Sequence, residues 1–111
     1  MQRMKIGRLS RGKNLEAILW SGRRVSSEFF RIAVGRSGQA AVRLTVIAGK
    51  VTDKRAVARN ELRRRAREYV RTHQDLVPAG RDIAIMIKKE AVGLSRSKFY
   101  GALRDILSRI P

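Results

Sequence analysis

The chain has 111 residues, of which 26 are Lys or Arg and only 9 are Asp or Glu, so its formal net charge is +17. Such a charge favours a polyanionic partner. The length favours a single domain, residues 1–111, with residues 1–8 as a mobile basic tail. Apolar residues occur only in short segments, which excludes a bilayer span of roughly 20 residues and makes a membrane partner a poor second choice. Without cysteine or a secretory signal, the protein is expected to be cytoplasmic.

A short helix and two strands are predicted in the first half of the chain. Residues 14–20 have helical spacing of apolar side chains. Trp20 is expected to pack at the end of that helix; the alternative is that it is a platform on which a base stacks. Residues 28–34 and 41–48 alternate in the way that half-buried strands do, with a turn at 35–38 between them. We expect these two strands to form an antiparallel pair.

Phe29 and Phe30 are adjacent in the first predicted strand, so their side chains should point to opposite faces. Phe30 shares its face with Ile32 and Val34 and is predicted to be buried. Phe29 then lies beside Arg31 on the open face, where a ring and a cation together suit RNA. The opposite assignment stays open, because a register shift of one residue would exchange the two rings.

The second half of the chain is predicted to alternate helices with strands. The connector at 49–55 is expected to contain a short third strand at 50–51, and a helix begins between residues 52 and 56. Residues 82–87 are almost continuously apolar, which is typical of a central strand. A final amphipathic helix beginning near Ser95 should close the core. The predicted order is αββ(β)αβα.

The helix that begins near residue 56 is the most basic segment of the chain. Its apolar stripe of Leu62, Ala66, Tyr69 and Val70 should pack, while its arginines repel one another at i, i+4 spacing unless phosphates relieve that repulsion. A solvated face that only keeps the protein soluble is the alternative, but acids are too few to favour it. The predicted RNA-binding residues are Arg55, Arg59, Asn60, Arg63, Arg64, Arg67 and Arg71.

The sequence offers little for catalysis by the protein itself. It has one histidine, His73, no cysteine, and no His, Asp and Glu grouping with the spacing of metal ligands. We expect His73 to be a helix-end residue rather than a general base. Asp53, Asp75 and Asp82 are expected to be loop, cap or surface residues. We therefore predict no catalytic residue and no metal bound by the protein.

The basic helix contains an ordered pattern: Arg-Asn, an aliphatic residue, two basic residues and, further on, Arg-Glu. Its residues are Arg59, Asn60, Leu62, Arg63, Arg64, Arg67 and Glu68. With this pattern and the order of elements, the chain resembles the bacterial ribonuclease P protein subunit over nearly its whole length; the family signature begins with an Arg-Asn-Arg triplet. Weaker supporting matches are Gly22, Arg43, Lys50 and the lysines that follow the strand at 82–87.

The resemblance implies an α+β fold: an αβββαβα two-layer sandwich of the ribosomal protein S5 domain 2-like fold, with a left-handed β-α-β crossover. It also implies the non-catalytic subunit of an RNA-based endoribonuclease, in which a catalytic RNA uses Mg²⁺ to remove the 5′ leader of precursor tRNA. The protein, a monomer within the ribonucleoprotein, would bind ribonuclease P RNA and precursor tRNA. The leader-binding residues would be Leu15, Leu19, Phe29, Arg31, Arg43 and Lys50.

Several residues depart from the family pattern. Glu61 replaces the second Arg of the triplet, Thr45 replaces a glycine, and Val51 replaces a lysine. Leu15 and Leu19 replace aromatics, which would reduce base stacking of roughly 1–3 kcal/mol per base to apolar contact. The alternative function is a structural RNA-binding protein of ribosomal type without a processing role. A self-sufficient nuclease would require an acidic or His-rich constellation that the sequence lacks.

Overall fold

A computed structural model describes residues 6–9, 12–36 and 41–110, and within these ranges the chain forms five strands and three α-helices. The short 3-10 turns Gln74–Leu76 and Lys89–Ala91 stand on either side of the last strand. In chain order the elements are β1 (Ile6–Arg8), α1 (Lys13–Ser21), β2 (Arg23–Ser26), β3 (Phe30–Arg36), β4 (Val42–Ile47), α2 (Ala56–Thr72), β5 (Arg81–Ile87) and α3 (Arg96–Leu107).

The described strands form one mixed sheet in the order β1-β4-β5-β3-β2. The β1, β4 and β5 strands are parallel neighbours, whereas β3 pairs antiparallel with both β5 and β2. The central position predicted for β5 is confirmed. Because β4 and β5 are adjacent and parallel, the chain crosses between them through α2; the left-handed sense of that crossover stays a prediction from the resemblance.

Helices α2 and α3 cover one face of the sheet and complete the main core. Phe30 is fully buried, as predicted, and its ring meets that of Phe99 edge to face at 5.2 Å between centroids. Helix α3 begins after Ser95, whose hydroxyl accepts a hydrogen bond from the Lys98 amide at 3.2 Å. An N-cap side chain of this kind accepts a hydrogen bond from a backbone N–H group that has no partner within the first turn of the helix. The α+β fold and its closing helix are confirmed.

Helix α1 crosses the opposite face of the sheet. Leu15 and Ile18 of α1 are buried against Ala33 and Ala84, which are paired across β3 and β5. Two alanines leave room for the helix to approach the strands closely. A Cβ added at Gly35 would lie 2.3 Å from Cγ2 of Ile18, so only glycine permits this approach.

The pairing predicted between the strands at 28–34 and 41–48 is wrong, because β5 lies between β3 and β4. The first of them also begins two residues later than predicted. The Ser27 hydroxyl accepts hydrogen bonds from the amides of Phe29 and Phe30, at 3.3 and 3.2 Å. These bonds hold residues 28 and 29 in a turn, outside the strand ladder.

The third strand lies before β3 and not at residues 50–51. The amides of Thr52 and Asp53 both donate to the Gly49 carbonyl, at 3.0 and 3.3 Å, so this connector is a turn. The additional strand is β2, in which only Val25 is apolar, so alternation could not reveal it.

Two further predictions concern the segments next to the undescribed residues. Residues Ile6–Arg8, predicted to belong to a mobile tail, form β1 instead, because they pair with the free edge of β4. The turn predicted at 35–38 is wrong for Gly35 and Arg36, which continue β3 opposite β5. Residues 37 and 38 lie outside the described residues.

Candidate nucleic-acid interface

Helix α2 carries the densest positive charge of the described chain. It buries Leu62, Ala66, Tyr69 and Val70 against the core, so the predicted packing stripe is confirmed. The predicted start of the helix is also confirmed, because its first residue is Ala56. With one stripe fixed against the core, the arginines project from the remaining surface of the helix.

Acids neutralise part of this surface. Glu61 accepts two hydrogen bonds from Arg64, at 3.0 and 2.6 Å, and another from Arg65 at 3.3 Å. Mainly because of the bonds from Arg64, the pKa of Glu61 is lowered from 4.5 to about 2. Glu68 pairs in the same way with Arg71, whose hydrogen bond lowers the pKa of that carboxyl. The charges of Arg64 and Arg71 are thus largely offset.

Asp53 neutralises a further arginine at the start of α2. Its carboxylate accepts the Arg55 backbone amide at 2.9 Å and the Arg55 guanidinium at 3.2 and 3.0 Å. The guanidinium bonds are the main reason why the pKa of Asp53 is lowered. Asp53 is therefore the loop residue that was predicted, and it fixes the chain just before Ala56.

Three other arginines of α2, Arg59, Arg63 and Arg67, form no ion pair with a described acid. Arg59 donates to the carbonyls of Asp53 and Lys54, at 3.1 and 2.9 Å. Arg63 donates to the Ala48 carbonyl at 3.0 Å and to the side-chain oxygen of Asn60. These acceptors are uncharged, so they orient the guanidinium groups without neutralising them. Arg67 has no hydrogen bond or ion pair to any residue that the structure describes.

These three arginines lie at i, i+4 and i+8, so they form one stripe along α2, which we call the open stripe (Arg59, Arg63, Arg67). Part of it faces a groove of about 750 Å³ between α2 and the β1–β4 edge of the sheet. Arg8 of β1 and the Glu68-paired Arg71 also line this groove. Arg8, Arg63 and Arg67 form no ion pair with any described residue, so they give this groove a positive charge that would suit a polyanion.

The sheet face that α1 crosses, which we call the open sheet face, carries Arg31 and Arg43 of the second predicted group, whereas Lys50 lies in the turn after β4. Arg31 and Lys50 are exposed, Leu19 of α1 is half-buried, and Leu15 is buried between α1 and the sheet. Arg43 binds Asp82 through two hydrogen bonds, at 2.7 and 2.6 Å, and these raise the pKa of the Arg43 guanidinium. Asp82 is only 2% exposed, which the prediction of a loop, cap or surface residue missed.

Phe29 is not on the open face with Arg31. Because it lies in the turn before β3, strand alternation does not apply to it, and it packs partly against the main core. It borders a small apolar groove with Leu94 and Ala102 on the α3 side of the sheet. The position predicted for Phe29 is therefore wrong, although the buried position predicted for Phe30 is right.

Trp20 is 85% exposed, so the prediction that it packs at the end of α1 is wrong. Helical spacing contained the correct signal, because Trp20 lies about 200° around the helix from the buried Ile18. His73 stands at the end of α2, as predicted, with its ring stacked on Tyr69 at 4.0 Å between centroids.

None of the three α-helices in the described part of the chain is both long and apolar enough to span a bilayer. No group of three or more His, Cys, Asp or Glu side chains there has a geometry that could hold a metal ion.

Comparisons with known proteins agree with the fold and with the family that the sequence resembles. The family model described as Ribonuclease P matches residues 4–111. A ribonuclease P protein component from Desulfosudis oleivorans is 29% identical over 92 residues, which are 83% of this chain and 75% of that protein. The ribonuclease P protein from Thermotoga maritima has the same fold, with a TM-score of 0.85 at 24% identity over 94% of this chain and 97% of that one. A ribonuclease P protein from Staphylococcus aureus gives a TM-score of 0.83 at 21% identity, over 93% and 94% of the two chains.

Proposed function

Because the chain belongs to the ribonuclease P protein family, we propose that it binds ribonuclease P RNA through α2 and the 5′ leader of precursor tRNA through the open sheet face. The catalytic RNA would use Mg²⁺ to hydrolyse the phosphodiester bond that joins the leader to the tRNA, and the protein would hold the two RNAs together. The protein supplies no catalytic residue in this scheme.

The open stripe of α2 is the observation that carries the proposal. Arg59 and Arg63 are oriented by neutral carbonyls, and none of the three forms an ion pair with a described acid. The charge of Asp53 acts on Arg59 from a greater distance, so Arg63 and Arg67 are the least compensated of the three. Phosphates of the catalytic RNA would supply the missing negative charge, and each neutralised phosphate releases counterions. The forked guanidinium suits phosphate oxygens better than a lysine does.

The leader would follow the open sheet face past Arg31 and Lys50, with Leu19 as an apolar contact. Arg43 keeps part of its surface accessible, although Asp82 offsets its charge. Leu15 of α1 is buried against the sheet, so we assign it the role of anchoring the helix that forms the wall of this surface. With aliphatic side chains in place of aromatics, leader affinity should depend on phosphate contacts more than on stacking.

The proposal leaves Mg²⁺ with the RNA. Asp53, Glu61 and Glu68 each direct their oxygens at an arginine, and a divalent cation placed there would have to displace that guanidinium. Mg²⁺ is commonly held by one or two carboxylates together with substrate phosphates and water, and RNA supplies phosphates in abundance.

The experiment is cleavage of precursor tRNA by a bacterial ribonuclease P RNA at low Mg²⁺, where the RNA alone works poorly, with and without the protein. We expect the protein to restore cleavage at the mature 5′ end. The protein incubated with precursor tRNA but without the RNA should not cut. Tight RNA binding without restored cleavage would contradict a processing role and favour a structural RNA-binding protein.

A further inference from the structure

The groove between α2 and the β1–β4 edge has features that phosphate binding alone does not require. Leu44 and Val46 of β4 line it and are buried, and the half-buried Ile6 of β1 lies beside them. Arg8 is paired directly with Leu44, so its side chain is on the same face of the sheet, the face that α2 covers. The groove therefore has an apolar floor, with Arg8 on one wall and the open stripe on the other.

The size of the groove suits a nucleotide better than an RNA helix. Its volume of about 750 Å³ is within the range of roughly 300–1,000 Å³ that cavities for cofactor-sized ligands have. A base within an RNA helix is paired and stacked, so only an unpaired nucleotide can place its base against an apolar floor. Proteins read RNA mainly at such nucleotides, through stacking on aromatic rings or guanidinium groups and through hydrogen bonds to the base edge.

Gln74 lines the same groove, just after the end of α2. Its backbone is fixed, because the Val77 amide donates to the Gln74 carbonyl at 3.1 Å. Its side-chain oxygen, in contrast, is buried and has no hydrogen-bond partner in the described part of the chain. A buried acceptor without a donor lowers stability, so folding alone gives no reason for a carboxamide at this position. The terminal torsion of a glutamine side chain is broad, and a turn about it would direct the oxygen or the amide into the groove.

We propose that this groove takes one unpaired nucleotide of ribonuclease P RNA, whose base lies on the apolar floor and whose base edge is hydrogen-bonded to the Gln74 carboxamide. The flanking phosphates lie between Arg8 and the open stripe. A carboxamide both donates and accepts, which is the pattern that a base edge complements. The inference rests on the proposed function, because it takes ribonuclease P RNA as the ligand of α2, and it adds a base contact to the phosphate contacts.

The test is Gln74→Met in the full chain, with affinity for a bacterial ribonuclease P RNA measured over a range of salt concentrations. Met has the same unbranched length as Gln but lacks the carboxamide donor and acceptor. Affinity should fall about tenfold, whereas the slope of log K against log salt should stay the same, because no phosphate contact is lost. An unchanged affinity would overturn the proposal, and so would a decreased slope.

Thermal unfolding of the same variant separates a binding role of Gln74 from a structural one. Gln74→Met removes a buried acceptor that has no partner among the described residues, so the variant should unfold at the same temperature as the parent chain or at a higher one. A lower unfolding temperature together with weaker binding would mean that Gln74 supports the fold, and it would overturn the proposal.

Acylation of RNA 2′-hydroxyl groups locates the nucleotide. With saturating parent protein, an unpaired nucleotide that is reactive in the free RNA should become protected. With saturating Gln74→Met it should become reactive again, while the protection elsewhere persists. If no nucleotide responded to Gln74→Met, or if only nucleotides within RNA helices did, the assignment of an unpaired base would be wrong.

An abasic residue at the nucleotide located in this way provides the matched control. The parent chain and Gln74→Met should bind the abasic RNA with equal affinity, because the contact that distinguishes them is then missing from both complexes. A difference of about tenfold that persisted with abasic RNA would show that Gln74 acts elsewhere. Arg8→Gln should behave differently from Gln74→Met, since it should decrease the salt slope by about one with either RNA.

The outcomes also separate this inference from the proposed function. If the parent chain binds ribonuclease P RNA and restores cleavage but Gln74→Met binds equally well, only the base contact is refuted. If the parent chain does not bind ribonuclease P RNA, both the proposed function and the base contact are refuted.

Discussion

Arginine has different surroundings on α2 and on the open sheet face. On α2 the acids Glu61 and Glu68 are exposed, and they offset Arg64 and Arg71 across one helical turn. On the sheet, Asp82 is buried and binds a strand arginine, Arg43, through both of its oxygens. The burial of the acid, and not the number of arginines, therefore decides whether an ion pair stabilises the fold or sets the charge of the surface.

An exposed ion pair contributes little to stability, since solvent screens it and ordering two side chains costs entropy. Removing either partner of a buried ion pair lowers stability, because the charge of the remaining partner is no longer compensated. Substitutions on α2 should therefore change RNA binding, and substitutions at the sheet pair should change stability.

The largest effect on stability is expected for Asp82→Asn. The amide fills the same space but removes the charge, leaving the Arg43 guanidinium with a single neutral acceptor. We expect the free energy of unfolding to fall by about 2 kcal/mol, somewhat less than for complete removal of a buried partner. Urea denaturation measures this loss, and the control is Glu61→Gln, which removes the charge of an acid in an exposed ion pair. If the two substitutions gave the same midpoint, burial would not distinguish the two regions.

The largest effect on binding is expected for Arg63→Gln/Arg67→Gln in the open stripe. Affinity for ribonuclease P RNA should fall at least about tenfold, and the salt slope should decrease by about two, because two phosphate contacts are lost. The matched variant Arg64→Gln/Arg71→Gln removes the same charge from arginines that acids already offset. Its salt slope should change by less than one. Equal slopes for the two double variants would show that the acids do not mask their partners.

The sequence predicted the elements whose burial is one-sided. The stripe of Leu62, Ala66, Tyr69 and Val70 and the apolar run of β5 each show their period directly, and both lie where predicted. The signature residues of α2 also indicate the family from the sequence alone. Strand pairing was not predictable in the same way, because alternation indicates which face of β3 is buried but not which strand lies beside it.

The sequence pattern also does not show which arginines form ion pairs with acids. Glu61 was recognised as a departure from the family, yet the sequence could not show that it would bind both Arg64 and Arg65. Asp82 was misjudged for a similar reason, since its partner Arg43 is 39 residues away in the chain. Only the register of β4 with β5 places the two side chains opposite each other.

The smallest effect is expected for Glu61→Gln, and it should be a gain. The substitution leaves Arg64 and Arg65 without an anionic partner, so affinity for ribonuclease P RNA should rise about threefold, and Glu61→Arg should raise it further. The matched control is Asp105→Asn on α3, which removes an acid that is likewise paired with an arginine four residues away. A similar gain in the control would assign the effect to net charge and not to α2.

The pH dependence of the affinity gained in Glu61→Gln tests directly whether Glu61 offsets the charges of Arg64 and Arg65. The pKa of Glu61 is lowered to about 2, chiefly by its hydrogen bonds from Arg64, so the carboxylate stays charged far below its ordinary value of 4.5. A carboxyl with a lowered pKa contributes stability above its unfolded pKa and loses that contribution as the pH falls through the folded value. The small stability difference between the parent chain and Glu61→Gln should therefore persist at neutral pH and disappear between about pH 4.5 and 2.

The difference in RNA affinity should stay constant from pH 8 to 5, because Glu61 does not titrate there. If the affinity difference vanished before pH 5, Glu61 would be taking up a proton too easily to be held by Arg64, and the contrast between the two regions would need another cause.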